Sequence, residues 1–220
     1  MAINLTFHEL DNTTADANNQ TAYQKLRFDL IVNTEGVKKT IYPDSVGIPS
    51  IGIGFNLKDT NILGKILDSF GVADQTSRDA LQKIVTDNAS NIANLTNALN
   101  IKMGTLFTHT PPLANRATFT FNNADEMKAV FDEAVLTYDN SDTNLGPLGR
   151  VDNWLADIPP SNERAVLVSM SYNGYINRGE SPSLRRAIMN GDRAEAWFEI
   201  RYNRVGEFRG QYTYLMSFEG

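Results

Sequence analysis

The sequence predicts an α+β protein, with a small lobe carrying a β-hairpin and a larger, mainly helical lobe. Three observations lead there. Apolar positions at helical spacing run from Ala22 to Glu35 and stop at Gly36. Two turn clusters and a glycine-alternating segment follow between Lys39 and Leu57. The last third of the chain then reads almost entirely as helix. At 220 residues the chain can form one well-buried domain, or two lobes sharing a helix.

Residues 1–22 are rich in Asn, Thr, Asp and Gln, with Ile3, Leu5, Phe7 and Leu10 scattered among them. They are expected to form a loosely packed arm or short strand. The remainder, 23–220, is expected to be one domain, its small lobe covering about 23–70 and its helical lobe about 71–220. In the first helix Leu26, Leu30 and Ile31 supply the apolar face, flanked by Tyr23 and Phe28. Pro43-Asp44-Ser45 and Gly47-Ile48-Pro49 are turn residues. In Ile51-Gly52-Ile53-Gly54 the isoleucines of an expected strand share one face. Gly52 and Gly54 leave the other bare, open to a sugar chain or to a neighbouring helix. Beyond Asp59 a helical stripe uses Ile62, Ile66, Leu67 and Phe70, and further helices are expected over 76–101 and 123–138. His109 to Asn115 reads as a loop, Thr118 to Phe121 as an extended lead-in, and 139–150 as a polar connector. Asn162 to Asn173 is a largely buried helix ending at Gly174. Ser181-Pro182 opens another that reaches Asn190-Gly191, and Asp192 caps a third carrying Ala194, Trp197, Phe198 and Arg201.

Composition narrows the function. No run of 18 apolar residues is present, so no membrane insertion is expected, and no basic stretch with an apolar core marks a signal peptide. Without cysteine there are no disulfides or thiolate metal sites. The net charge of −6 argues against nucleic acid as a partner. Eight arginines, no lysine and seven acids fall in 161–220, and helix-surface ion pairs account for most of that cationic set. His8 and His109 are expected to be solvated loop histidines, so no metal site is assigned. Trp154 and Trp197 are expected to be core anchors.

The chemistry concentrates between Glu35 and Leu57. A carboxylate closes an apolar helix, a second follows nine residues later at Asp44, and a hydroxyl stands at Ser50. Two carboxylates and a hydroxyl can flank one glycosidic bond, one as acid and the other holding a water. Glu35 at a helix C-terminus faces the negative end of the macrodipole, so its proton should be held more tightly.

The block Glu35…Asp44…Ser50-Ile-Gly-Ile-Gly resembles the active-site signature of phage-type lysozymes, the T-even phage muramidase family. That signature is a Glu, an Asp nine residues on, and a Thr six further on before Ile-Gly-Ile-Gly. Gly54-Phe-Asn-Leu57 is similar to the branch containing other endolysins and the bacteriocin pesticin. Arg164 to Asn173, Ser183-Leu-Arg185, Gly191-Asp192 through Trp197 and Arg201-Tyr-Asn203 match in order, with a divergent middle from about 71 to 150.

The resemblance implies a lysozyme-like fold with a cleft between the lobes, and hydrolysis of the β-1,4 bond after N-acetylmuramic acid with inversion. Glu35 would protonate the glycosidic oxygen, Asp44 would orient or deprotonate the attacking water, and Ser50 would share that water. Asn173 matches a polar amide position near the substrate. Arg209, after a one-residue shift, matches the arginine that pairs with the catalytic glutamate. Serine in place of threonine keeps the hydroxyl and loses a methyl. Phe55 stands where T-even enzymes carry histidine. The expected partner is bacterial peptidoglycan, the expected state a monomer, and no cofactor is needed. The expected role is a phage endolysin made in host cytoplasm that reaches the periplasmic wall on release. The alternatives are a bacteriocin or injected effector lysozyme, or a catalytically silent glycan-binding or virion structural protein.

Overall fold

A computed structural model describes residues 7–16, 20–139, 158–173 and 182–202. It is mixed: eight helices and one three-stranded antiparallel sheet among the described residues, as an α+β reading requires. The chain groups into two compact units, one of residues 1–34 with 135–220, the other of residues 35–134. The division therefore falls at 34/35 and 134/135, where the sequence suggested about 70. The helical stretches 60–69 and 92–107 pack on strands of the sheet, and 75–88 packs on both of them, which draws all three into the same unit.

The first unit begins with an arm. Glu9 bridges antiparallel to Ser161, and Leu10 N–H donates to the Pro160 carbonyl at 2.9 Å, so this segment is tied at its middle. Helix α1 (Ala22–Glu35) follows with the expected bounds. It buries Tyr23, Leu30 and Ile31, and also Arg27, which the apolar pattern did not single out. Helix α6 (Asn162–Tyr172) is buried nearly all round, from Glu163 to Ser171, and Ser161 caps it by accepting the Arg164 N–H. Helices α7 (Pro182–Asn190) and α8 (Arg193–Tyr202) close the core with Leu184, Ile188, Ala196 and Ile200. On α8 the buried face is Ala196, Glu199 and Ile200. Ala194 is exposed and Phe198 nearly half exposed, while Trp197 packs partly buried on the core.

The second unit holds β1 (Lys38–Pro43), β2 (Pro49–Gly52) and β3 (Phe55–Asn56) in that spatial order. The expected strand over 51–54 ends at Gly52, because Gly52 and Gly54 adopt φ of 71° and 84° and turn the chain into β3. Both isoleucines are nonetheless fully buried. Helix α2 (Thr60–Ser69) is capped by Asp59 and buries Leu63, Ile66 and Leu67, with Ile62 only half-buried. The helix expected over 76–101 is two, α3 (Gln75–Asn88) and α4 (Ile92–Phe107), split where Asn91 accepts the Asn94 N–H and starts a new helix. Asn123 caps α5 (Ala124–Asp139). The Thr118 to Phe121 lead-in is not strand, but Phe121 N–H donates to the Lys39 carbonyl on β1. Phe119 and Phe121 meet Phe70 edge-on, with centroids 5.0 and 5.2 Å apart. Arg116 locks this corner, forking onto Glu126 at 3.0 Å and lying 4.1 Å over the Phe70 ring. No helix among the described residues is long and apolar enough to cross a membrane.

Candidate active site

Three of the expected chemical groups, Glu35, Asp44 and Ser50, fall in the second unit together with Gly52 and Gly54. Glu35 is the last residue of α1, and Gly36 at φ 71° stops the helix there. Its carboxylate rests on the backbone of Gly54. A methyl added at Gly54 would stand 2.9 Å from Oε2 and 3.4 Å from Cδ, so glycine is what lets the acid lie so close. The bare glycine surface is thus occupied from within the chain: Gly54 by Glu35, and Gly52 by the Phe55 and Phe121 rings.

Glu35 is half-buried. Burial raises its pKa above the ordinary glutamate value, and the negative charge of Asp44 raises it further. The direction matches what the helix end suggested, but loss of water and a neighbouring carboxylate are the causes. Among the described residues nothing hydrogen-bonds to this carboxyl. Arg209, expected to pair with it, lies outside the described residues.

Asp44 sits in the turn between β1 and β2. Its Oδ1 accepts the N–H groups of Val46 at 2.9 Å and Ile48 at 2.7 Å, and its own N–H donates to the Ile48 carbonyl. It is therefore a turn aspartate, and a well-fixed one. No hydrogen bond to Oδ2 is formed among the described residues, so the turn holds Asp44 through one oxygen. Ser50, opposite Tyr42 in the β1–β2 register, is only 2% exposed, and its hydroxyl donates to the Ile48 carbonyl at 3.4 Å. That long contact is weak and leaves the hydroxyl able to turn to a better partner.

Asn173 belongs to the other unit. It caps α6, its backbone N–H and side-chain amide both donating to the Ser169 carbonyl at 3.0 and 2.9 Å. Phe55 is 1% exposed and packs on the Phe121 ring. His109 is an exposed loop residue whose Nδ1 meets the Pro111 carbonyl at 2.8 Å. His8 is exposed, as expected, yet its Nδ1 lies 2.7 Å from the fully buried Glu163, which also holds Arg193 at 2.7 Å. Trp154 lies outside the described residues.

One residue at the site escaped the sequence reading. Tyr42 is half-buried on β1, two positions before Asp44. Loss of water, then the charges of Glu35 and Asp44, raise its phenol pKa, while the Gly54 N–H donating toward its oxygen works the other way. The Lys38 ammonium lies 4.2 Å from its ring centroid.

No family model matches the chain, and no curated protein does.

Proposed function

We propose that the protein is a glycoside hydrolase that cleaves bacterial peptidoglycan after N-acetylmuramic acid by single displacement. One observation carries this reading: a half-buried glutamate whose proton is held by burial and by a nearby aspartate, with that aspartate fixed through only one of its oxygens. A carboxyl that holds its proton above the ordinary range is what a general acid requires. Glu35 donates its proton to the glycosidic oxygen as the bond to the anomeric carbon breaks. Asp44, through Oδ2, takes a proton from the water that attacks that carbon from the opposite face. Configuration inverts, and solvent returns the proton from Asp44 to Glu35. Ser50 lends its hydroxyl to the same water. The resemblance to phage-type lysozymes supports the choice of muramic-acid linkages and a role as endolysin acting on the periplasmic wall.

The test is turbidity loss of Gram-negative cells with permeabilised outer membranes, with product ends identified by mass spectrometry. Wild type is expected to clear them and leave new reducing muramic-acid ends. Glu35→Gln is expected to lower turnover by about 10³-fold, within the range that positioned acid catalysis supplies. Equal inactivity of both proteins sinks the hydrolase reading in favour of a silent glycan binder.

A further inference from the structure

Between α2 and α3 lies a cleft of about 220 Å³, with Leu63 and Leu67 buried in its floor and Thr60, Gln75 and Gln82 exposed at its rim. Arg78 lines it, and three acceptors pin its guanidinium. Nη1 donates to Asp68 Oδ1 and to the Val72 carbonyl at 3.0 Å, and Nη2 donates to the Gly64 carbonyl at 2.9 Å. Among the described residues Nε makes no hydrogen bond, and neither do the Gln82 side-chain amide and the Thr60 hydroxyl. The cleft therefore holds a fixed guanidinium with an open donor, set among uncommitted amide and hydroxyl groups. Asp68 meets the Arg78 charge in an ion pair, so these groups suit a neutral polar ligand rather than an anion.

Gly64 is an independent sign of the same site. It stands inside α2, where glycine costs stability relative to alanine. A methyl at this position would meet one neighbouring atom, Arg78 Nη2 at 3.4 Å, an ordinary contact. Neither packing nor a left-handed backbone requires glycine here. What its missing side chain preserves is space in the cleft.

We propose that this cleft binds the acetamido group of an N-acetylated amino sugar, a second hold on the glycan built from none of the residues of the carboxyl pair. The choice of sugar rests on the peptidoglycan reading. Arg78 Nε–H donates to the acetamido carbonyl, the acetyl methyl rests on Leu63 and Leu67, and Gln75, Gln82 and Thr60 meet hydroxyls of the ring. Pockets that enclose a drug-sized ligand run to about 300–1,000 Å³, so this cleft takes a single ring.

The experiment titrates the isotope-labelled full chain with N,N′-diacetylchitobiose and follows the Arg78 Nε–H and Gln82 side-chain amide resonances, which needs no turnover. Wild type is expected to show saturable shifts in the millimolar range. Gly64→Ala fills the cleft and keeps its polar groups. It is expected to weaken binding at least about fivefold while its Tm equals or exceeds that of wild type. Gln82→Ala, at an exposed position, is expected to weaken binding about threefold, the value of one hydrogen bond. Absence of saturable shifts in wild type overturns the proposal, as does unchanged affinity in Gly64→Ala. Shifts with an N-acetylated dipeptide but not with the sugar overturn the assignment to a glycan. Cell clearing decides the hydrolase reading separately. A wild type that binds the sugar and clears no cells loses that reading alone, and one that clears cells without these shifts loses this site alone.

Discussion

At the scale of the residue, the site works against the stability of its own unit. The folded-state pKa of Glu35 is raised, so its contribution is present below the unfolded value and is lost as pH rises through the folded one. At neutral pH the fold must keep a carboxyl away from water and beside a second negative charge. Glu35→Gln removes that burden, and the variant should be more stable than wild type at pH 7 by about 1 kcal/mol, while losing activity. Thermal unfolding at pH 4 and pH 7 checks this, since the gain should shrink at the lower pH. Asp44 separates differently, because its two oxygens serve different ends. Asp44→Asn keeps an acceptor for Val46 and Ile48, so its stability should stay within about 1 kcal/mol of wild type. Turnover should nonetheless fall at least about 10²-fold with the base gone. A variant that lost both together would make Asp44 a turn residue only.

At the scale of the element, the β2–β3 connection is where local geometry decides most. Gly52 at φ 71° has the Phe55 ring 2.6 Å from where a methyl would stand, with Phe121 at 3.3 Å. Rings packed in a core cannot step aside as a surface side chain could. Gly52→Ala should therefore cost about 2–4 kcal/mol in stability, from backbone strain together with overpacking, measured by denaturant unfolding. The same element shows how legibility fails. Alternating Ile-Gly-Ile-Gly reads as strand because both isoleucines want burial, and both are buried. A two-residue glycine turn satisfies that demand equally well, and periodicity does not separate the two. In the helices, the bounds of α1 and α7 were readable because Gly36, Pro182 and Gly191 punctuate them. The split at Asn91 was equally open to reading, since an asparagine before a new apolar repeat is a cap.

At the scale of the whole molecule, Glu163 is the group on which most separate pieces of the first unit converge. It lies in the first turn of α6 with its side chain fully buried. It accepts the His8 backbone N–H from the arm at 3.1 Å, meets the His8 ring and binds Arg193 of α8. Burial alone would raise its pKa, but these partners more than offset burial and leave it below the ordinary glutamate value. Its stabilising contribution is therefore present above the unfolded pKa and is lost as pH falls through the folded one. Glu163→Gln should cost about 3 kcal/mol at pH 7, the scale of breaking a buried pair by removing one partner. That deficit should narrow below about pH 4, where wild type loses the same charge. A flat difference across that range would mean the carboxylate's charge is not what joins arm and helix.

The sequence by itself determined the local features: helix ends at glycine and proline, the turn around Asp44, the burial of Ile51 and Ile53, and the order Glu35, Asp44, Ser50 along the chain. These depend on near neighbours, whose preferences are written into residue type. Only the tertiary structure decided the rest. It put Glu35 on Gly54, filled the Gly52 surface with aromatic rings, and bound His8 to a buried glutamate. Each of these joins positions that are distant along the chain, or depends on a φ that no periodicity reports. A carboxyl's proton affinity follows from the water it has lost and the charges beside it, and both are properties of the folded surroundings.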